Sequence, residues 1–261
     1  MVFRVVTYNV HWGQGTDGEY DLERVANIIR VLNPDAVAIQ EVHQNTDLFS
    51  EDQPAVLARL LGMHAYFVPT MDGYPSDPNS GGRYGNLILT RLTVNESCTH
   101  TYTPGLGYSM SQEPRGIQAV RIGNLWVINT HMGCDITGFE QSGMAKELVD
   151  FVHGLTTSNS CNSSTQAVVC GDMNAFAASP AGRFLASTWV DAWLAVQVKE
   201  NTSQGYFSGC TMPAWLPFQR IDYVFLAGPS IKPISARVLN TDLGDNVHPS
   251  DHRPLIVDIA W

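Results

Sequence analysis

The chain has 261 residues and 44% of them are hydrophobic, which is enough to form one large core or two small ones. We expect a single domain over residues 1–261, because no linker-like stretch or internal repeat divides the sequence. Asp and Glu number 25 against 15 Lys and Arg, so the formal net charge is −10 at pH 7. This charge gives no general positive field for a polyanion and disfavours, without excluding, extended nucleic-acid binding.

The cysteine pattern argues against two kinds of site. The five cysteines are odd in number and include no Cys-x-x-Cys pair, which is unlike a disulfide framework or a thiolate zinc site. We therefore expect buried free thiols at these five positions, which are Cys98, Cys134, Cys161, Cys170 and Cys210.

The sequence contains glycosylation sequons, which are typical of secreted proteins, but no signal-peptide pattern. Three glycosylation sequons begin at Asn95, Asn162 and Asn201, yet the chain opens with MVFRVVTYNV and shows no signal-peptide pattern. Either the sequons arise by chance or an upstream segment is missing. No run approaches the ~20 apolar residues of a membrane span, so we expect a soluble protein and favour the cytoplasm.

The first half of the chain alternates short apolar runs with amphipathic segments. Strands are predicted over residues 3–8, 36–40, 65–68 and 86–90. Between the first two, LERVANIIRVL places apolar residues at helical spacing, which predicts a helix over residues 22–32 that Pro34 stops. A shorter helix is predicted over residues 54–62.

The second half continues in the same way. Strands are predicted over residues 117–122, 125–129, 167–170, 221–225 and 255–259, and helices over residues 138–155 and 179–187. Three stretches rich in Gly, Pro, Ser and aromatic residues, at 71–85, 99–116 and 201–217, are predicted to be surface loops. Their aromatic side chains would shape an apolar pocket or interface, or simply pack within the loops: Tyr102, Tyr108, Tyr206, Phe207 and Trp215.

Polar residues recur where the predicted strands begin or end. A single such residue is usually a cap or a turn, but seven positions along the whole chain indicate one cleft rim to which rigid strands deliver side chains. The residues are Asn9, Glu41, Asn86, His131, Asp172 with Asn174, Asp222, and Asp251 with His252.

Four carboxylates in one cleft require a cation. Like charges raise one another's pKa unless positive charge intervenes, so Glu41, Asp172, Asp222 and Asp251 imply a divalent metal ion. Because the ligands are oxygens and amides without cysteine, Mg²⁺ fits better than structural zinc, with Mn²⁺ as a substitute.

The histidines and amides complete a recognisable chemistry. His131 and His252 are able to donate to a phosphate oxygen or to move protons, and Asp222 to orient a histidine. Asn9 and Asn174 supply hydrogen bonds without adding negative charge. Together with a divalent cation, this set predicts phosphoester hydrolysis by an activated water.

The motifs TYNVH, QEV, YGN, NTH, GDMN, RIDYVF and SDHRP occur in that order between residues 3 and 259. This series resembles the endonuclease/exonuclease/phosphatase superfamily, which contains DNase I, AP endonucleases, neutral sphingomyelinases and inositol polyphosphate 5-phosphatases. The resemblance implies a four-layered α/β sandwich, in which two mixed β-sheets pack face to face with helices outside and a metal-dependent hydrolase site lies at one end.

The resemblance also implies roles for matching residues. Glu41 is similar to the principal metal ligand, with Asn9 and Asp251 close to the ion or its water shell. Asp172 and Asn174 resemble the pair that orients the attacking water and binds phosphate.

Further residues take roles around the phosphate. His252 with Asp222 resembles the family's His-Asp dyad, and which member takes the proton stays open. His131 would bind phosphate or assist the leaving oxygen, and Asn86 would hold His131 or be a strand-edge amide. Arg115 is a candidate phosphate clamp, with a surface ion pair to Glu113 as the alternative.

Substrate identity is less constrained. QEVHQ lacks the lysine that AP endonucleases place soon after QE, and PAWLPFQRIDYVF departs from the PAWCDRI motif of inositol phosphatases. We expect a monomeric Mg²⁺-dependent phosphodiesterase or phosphatase of the sphingomyelinase-like or bacterial-type branch, acting on a small or lipid-derived phosphoester. The alternatives are a nonspecific DNase I-like endonuclease, for which Arg83, Arg91, Arg115 and Arg121 would form a basic patch, and a catalytically silent binding module.

Overall fold

The computed structural model describes residues 2–103, 113–135, 137–157, 166–200 and 208–261. The strands are β1 Val2–Asn9, β2 Ala36–Gln44, β3 His64–Asp72, β4 Arg83–Thr90, β5 Glu96–Thr101, β6 Gly116–Ile122, β7 Leu125–His131, β8 Gln166–Asp172, β9 Val190–Asp191, β10 Asp222–Ala227, β11 Lys232–Val238 and β12 Leu255–Ala260. The α-helices are α1 Leu22–Leu32, α2 Gln53–Leu61, α3 Phe139–Thr157, α4 Pro180–Thr188 and α5 Ala192–Glu200, and a short 3-10 helix covers His11–Gly13.

The strands form two six-stranded sheets. The first sheet has the order β11-β12-β1-β2-β4-β3, and the second has the order β5-β6-β7-β8-β10-β9. Each sheet contains one parallel pair, β1 with β2 and β7 with β8, among antiparallel neighbours. Both sheets are therefore mixed, as the family resemblance implies.

Three apolar clusters hold these sheets and helices in four layers. One lies between the sheets and includes Val5, Ala38, Val127 and Val168. A second packs α1 and α2 on the outer face of the first sheet, and a third packs α3 and α4 on the outer face of the second. The predicted four-layered α/β sandwich is confirmed.

Local signals explain why helix α1 was predicted with the correct bounds. The Asp21 side chain caps the first turn by accepting hydrogen bonds from the amides of Glu23 and Arg24. The helix ends at Asn33, which adopts a left-handed conformation with φ of 46°. Its apolar stripe faces the first sheet, so capping and burial define the same segment.

Several elements were missed or misplaced in the sequence prediction. Strands β5 and β11 lie at sheet edges with alternating exposed positions, so their sequences ESCTHT and KPISARV carry no apolar run. The two-residue strand β9 and the helix α5 were also missed. Strand β4 begins at Arg83, three residues before the predicted start, and β2 continues beyond Gln40 to Gln44.

A buried amide pair joins the two sheets below the polar strand ends. Gln40 Nε2 donates to Asn129 Oδ1 at 2.7 Å, which links β2 to β7. Asn129 Nδ2 in turn donates to the carbonyl oxygens of Ile39 and Leu87 at 2.9 and 3.0 Å. Because buried amides are costly unless paired, this network favours one relative position of the sheets.

Two of the four described cysteines are buried and free, Cys170 and Cys210. Cys98 is half-buried and Cys134 is exposed, so the expectation of buried thiols is wrong for these two. Cys161 and the sequons at Asn162 and Asn201 lie outside the described residues. Within the described ranges, no helix has the length and apolar character needed to cross a membrane.

Candidate active site

The register of the second sheet brings three predicted site residues side by side. Asp172, the last residue of β8, pairs with His131 at the end of β7 and with Asp222 at the start of β10. All three side chains are buried. The strand-end pattern therefore leads to one row of polar groups, as predicted.

His252 closes this row from the loop that precedes β12. Its Nδ1 donates to Asp222 Oδ2 at 2.8 Å, and its Nε2 lies 3.6 Å from Asp172 Oδ2. Burial lowers the pKa of His252, but the carboxylates of Asp222 and Asp172 outweigh this and raise it to about 10. Burial together with Asp222 raises the pKa of Asp172 to about 7.

Asn9 connects this row to the predicted metal ligand. At the end of β1, its Nδ2 donates to Glu41 Oε1 at 3.0 Å and to Asp172 Oδ2 at 3.1 Å. The second oxygen of Glu41 accepts from Trp12 Nε1 at 2.6 Å. Asn9 thus joins a carboxylate of the first sheet to one of the second.

Asp251 lies in the loop that contacts the end of β1 at Asn9. The hydroxyl of the preceding Ser250 donates to the Asn9 carbonyl oxygen at 2.7 Å, which fixes the loop against the end of β1. The half-buried Asp251 carboxylate lies 4.0 Å from His11 Nδ1. The fold therefore places Asn9 and Asp251, two of the three predicted metal-site residues, close together.

Asn174 and His131 form the other end of the row. The Asn174 backbone amide donates to Asp172 Oδ1 at 2.9 Å, and the Asn174 side-chain nitrogen lies 3.1 Å from His131 Nε2. His131 Nε2 is also 3.6 Å from Asp172 Oδ2. Burial, helped by Arg115 and His252, holds the pKa of His131 well below its ordinary value.

The contacts of Arg115 and Asn86 differ from those expected from the sequence. Arg115 does pair with Glu113 at 2.8 Å, but the two side chains are only 7% and 10% exposed, so the expectation of a surface ion pair is wrong. Asn86 Nδ2 donates to the Gly116 carbonyl oxygen at 3.2 Å. Since Gly116 pairs with His131 in the β6–β7 ladder, Asn86 supports the neighbouring strand instead of the imidazole ring.

The donor set fits a hard divalent cation. Among the described residues, ligand atoms of Asp172, Asp222 and His252 all lie within 4.8 Å of one another. This cluster differs from the predicted metal residues, and His252 and Asp222 already bind each other. On the Glu41 side of the row, the carboxylates of Glu41 and Asp251 and the amide oxygen of Asn9 are the ligand type that Mg²⁺ and Mn²⁺ prefer.

Sequence reasoning missed four residues of this region. His11 and Trp12 follow Asn9 by two and three positions in the motif TYNVHWG. That nearness in sequence was the available signal for a role at the site. Glu113 was named only as an ion-pair partner. Thr211, whose hydroxyl donates to Asp222 Oδ2 at 2.5 Å, comes from a loop with no signal that indicated this contact.

The four arginines considered as a basic patch are spread across the molecule. Arg83 begins strand β4 and Arg91 follows its last residue, so the length of the strand separates them by roughly 25 Å at the usual rise per residue. Arg115 is buried, and Arg121 pairs with Glu96 at 2.7 Å. These residues do not form one patch, so that expectation is wrong.

Two of the five loop aromatics fall within the described residues. Tyr102 is buried and its hydroxyl contacts Thr130 Oγ1 at 2.8 Å, so it packs within the fold. Trp215 is exposed. Tyr108, Tyr206 and Phe207 lie outside the described residues.

Comparisons with solved structures find the same fold in other proteins. The endonuclease/exonuclease/phosphatase from Beutenbergia cavernae DSM 12333 is 23% identical with a TM-score of 0.80, over 100% of this chain and 72% of that chain. The human Nocturnin catalytic domain with bound sulfate anion is 19% identical with a TM-score of 0.71, over 99% of this chain and 93% of that chain. The mannosyl-6-phosphatase from Bacteroides thetaiotaomicron VPI-5482 is 19% identical with a TM-score of 0.74, over 99% of this chain and 100% of that chain.

At these identities the structural similarity shows a shared fold. Comparison with curated protein sequences gives no match. A profile of the Endonuclease/Exonuclease/phosphatase family matches residues 6–252, which includes every residue of the site described above. The chain therefore belongs to the endonuclease/exonuclease/phosphatase family.

Proposed function

We propose that this protein is a Mg²⁺-dependent phosphoester hydrolase that uses an activated water and an Asp-His dyad. The observation that carries the proposal is the continuous row from His252, held by Asp222, through Asp172 and Asn9 to Glu41. A histidine, buried carboxylates and an oxygen-rich metal-binding end within one row are the components of metal-assisted hydrolysis.

Each end of the row has a separate task. Glu41, with Asn9 and Asp251 beside it, would hold Mg²⁺ or Mn²⁺, which when bound polarises the phosphoryl group and lowers the pKa of water. Asp172 and Asn174 would orient the attacking water. Asp222 holds Nδ1 of His252, so that Nε2 faces the reacting groups.

His131 would bind a phosphate oxygen. Its Nε2 is 3.1 Å from the Asn174 amide nitrogen and 3.6 Å from Asp172. A neutral imidazole is able to donate one hydrogen bond there without competing for the cation.

A small or lipid-derived phosphoester is the favoured substrate class. The net charge of −10 and the scattered arginines give no track for a duplex backbone. Near the site, the backbone amide of Ala214 donates to the Asp251 carbonyl oxygen at 2.7 Å. The same loop exposes Trp215, Leu216 and Phe218 at 47%, 69% and 53%, an apolar rim suited to a hydrophobic substituent.

A screen of phosphoesters at one fixed Mg²⁺ concentration tests this function. Sphingomyelin, glycerophosphodiesters, inositol phosphates, sugar phosphates and supercoiled plasmid would be compared by kcat/KM. A His252→Ala preparation run in parallel would remove any contribution from contaminating enzymes.

We expect a small or lipid-derived phosphoester to be hydrolysed with the highest efficiency. Higher efficiency on plasmid DNA would instead establish the nonspecific endonuclease. No turnover of any substrate by folded, metal-loaded protein would favour the silent binding module, which is the alternative from outside the enzymes.

A further inference from the structure

A buried row of three side chains approaches the phosphate end of the site. Arg115 is only 7% exposed, and its Nη1 lies 2.8 Å from Glu113 Oε1 and 2.5 Å from His131 Nδ1. A guanidinium group is a donor at every nitrogen. Nη1 therefore donates a hydrogen bond to the His131 ring and forms an ion pair with the Glu113 carboxylate.

This contact decides which nitrogen of His131 carries the proton. A neutral imidazole has one donor and one acceptor nitrogen. If Nδ1 carried hydrogen, two donors would face each other at 2.5 Å beside a positive charge. Nε2 also faces a donor, the neutral Asn174 amide, but at 3.1 Å. The contact with the charged guanidinium is the shorter one, so Nδ1 accepts from Arg115 and the hydrogen belongs on Nε2.

The protonated Nε2 then points at a second donor. Asn174 Nδ2 lies 3.1 Å from His131 Nε2 and uses one of its hydrogens on the Met132 carbonyl oxygen at 2.9 Å. In the Nε2–H tautomer, its other hydrogen and the Nε2 hydrogen face each other across this contact, and Asp172 Oδ2 at 3.6 Å from Nε2 is beyond hydrogen-bond distance. An anionic oxygen is the group that accepts both, in the manner of an oxyanion hole.

We propose that Glu113 and Arg115 are positioning residues that act on the substrate through His131, by holding it in the Nε2–H tautomer that forms an oxyanion site with Asn174. The inference rests on the proposed function, because it assigns the phosphate oxygen as the acceptor. In this arrangement Arg115 does not contact the phosphate directly, as a phosphate clamp would, but acts on it through His131. The guanidinium orients the imidazole, and Glu113 anchors the guanidinium.

The tautomer can be observed directly. Protein labelled with ¹⁵N-histidine would be studied without added metal by long-range ¹H–¹⁵N correlation NMR, with His131 assigned from the His131→Gln spectrum. We expect the wild-type ring to be neutral with hydrogen on Nε2. A ring that carries hydrogen on Nδ1, or on both nitrogens, would overturn the proposal whether or not the Arg115 and Glu113 variants fold.

Variants test the cause of the tautomer. Arg115→Met should produce a mixture of tautomers and lower kcat about a hundredfold, the scale for loss of one oxyanion donor. Glu113→Gln should have an intermediate effect on the tautomer ratio and on kcat. Arg237→Met removes an exposed arginine of β11 and serves as the matched control, with an unchanged His131 spectrum and unchanged kcat.

The direct-clamp alternative has a different outcome. If Arg115→Met keeps the Nε2–H tautomer but weakens inhibition by inorganic phosphate, Arg115 binds phosphate itself and the proposal is wrong. If the wild type hydrolyses no phosphoester, the proposed function fails, while the NMR result still decides whether Arg115 sets the tautomer.

Discussion

At the scale of single residues, two of the predicted site residues adopt backbone conformations that are unfavourable for side chains with a Cβ atom. Glu41 has φ of 62° and Asn174 has φ of 46°. Glu41 lies where the β2–β4 pairing shifts register between Ile39 and Val42. This irregularity takes the Glu41 side chain out of strand alternation and towards Asn9, so the strain accompanies the placement of the carboxylate.

Removing individual catalytic side chains should separate chemistry from folding. We expect His252→Ala, Asp172→Ala and His131→Ala each to lower kcat by at least about a hundredfold, because each removes an acid-base or electrostatic group. Their melting temperatures should stay close to that of the wild type. His153→Ala, an exposed histidine on α3, is the control, and normal turnover in any of the three variants would remove that residue from the mechanism.

The indole hydrogen bond to Glu41 should affect metal affinity. Trp12→Phe keeps an aromatic ring but loses the Nε1 donor that lies 2.6 Å from Glu41 Oε2, so the free carboxylate is less well oriented for a cation. We expect Mn²⁺ affinity to fall by about tenfold in calorimetry.

A matched control exists for this substitution. Trp126 Nε1 is buried and makes no hydrogen bond to the described part of the chain, so Trp126→Phe removes an indole donor that holds no carboxylate. Equal Mn²⁺ affinities for Trp12→Phe and the wild type would show that Trp12 only packs.

At the scale of elements, an ion pair ties together the three strands at one edge of the first sheet. Arg4 on β1 faces Asp258 on β12, with Nε to Oδ1 at 2.7 Å and Nη2 to Oδ2 at 3.2 Å. Ser235 on β11 adds a hydrogen bond to Oδ2 at 2.8 Å. Hydrogen bonding to Arg4 holds the pKa of Asp258 below its ordinary value.

This pair predicts a pH-dependent difference in stability. Because the folded pKa of Asp258 is lowered, its contribution is present above the pKa of the unfolded chain and is lost as pH falls through the folded pKa. Asp258→Asn should reduce the free energy of unfolding by about 1–3 kcal/mol at pH 7, the scale of a charged hydrogen bond. Urea titrations at pH 7 and pH 3 should show the difference shrinking at the lower pH.

The exposed Asp150 on α3 provides the control for that experiment. Asp150→Asn should leave the urea midpoint nearly unchanged at both pH values. A difference for Asp258→Asn that stays constant between pH 7 and pH 3 would contradict an electrostatic origin.

At the scale of the whole molecule, the two sheets meet in polar contacts at the end that holds the site. Asn9 of the first sheet donates to Asp172 of the second, and Gln40 donates to Asn129 beneath them. The carboxylates are therefore held together by the sandwich itself. A cation that binds there stabilises the folded chain, because the unfolded chain has no such site.

Divalent cations should therefore raise the melting temperature. At about a hundred times Kd, a ligand specific for the folded state contributes about 2.7 kcal/mol. We expect Mg²⁺ or Mn²⁺ to raise the melting temperature of the wild type, and EDTA to reverse this rise and abolish hydrolysis. The shift should be absent in Glu41→Gln; an equal shift in that variant, or full activity in excess EDTA, would place the ion elsewhere or remove it from the reaction.

Much of this architecture was predictable because the relevant signals are local. The apolar stripe and cap of α1 lie within a few residues of each other, and the polar residues follow apolar strands that were recognised directly. Edge strands such as β5 and β11 were not predictable in this way, since one of their sides faces solvent and their sequences mix polar and apolar residues.

The ordered motifs are visible in short segments, and their resemblance to a known family implied the fold class. Polar residues at strand ends are equally local, and they predicted that Asn9, Asp172, Asp222 and His252 come together. The contacts of Arg115 with His131 and of Trp12 with Glu41 were visible only in the folded chain. The fold also separates the four arginines. These contacts join residues distant along the chain, and they depend on sheet register, a bulge and the packing of two sheets, which local periodicity does not specify.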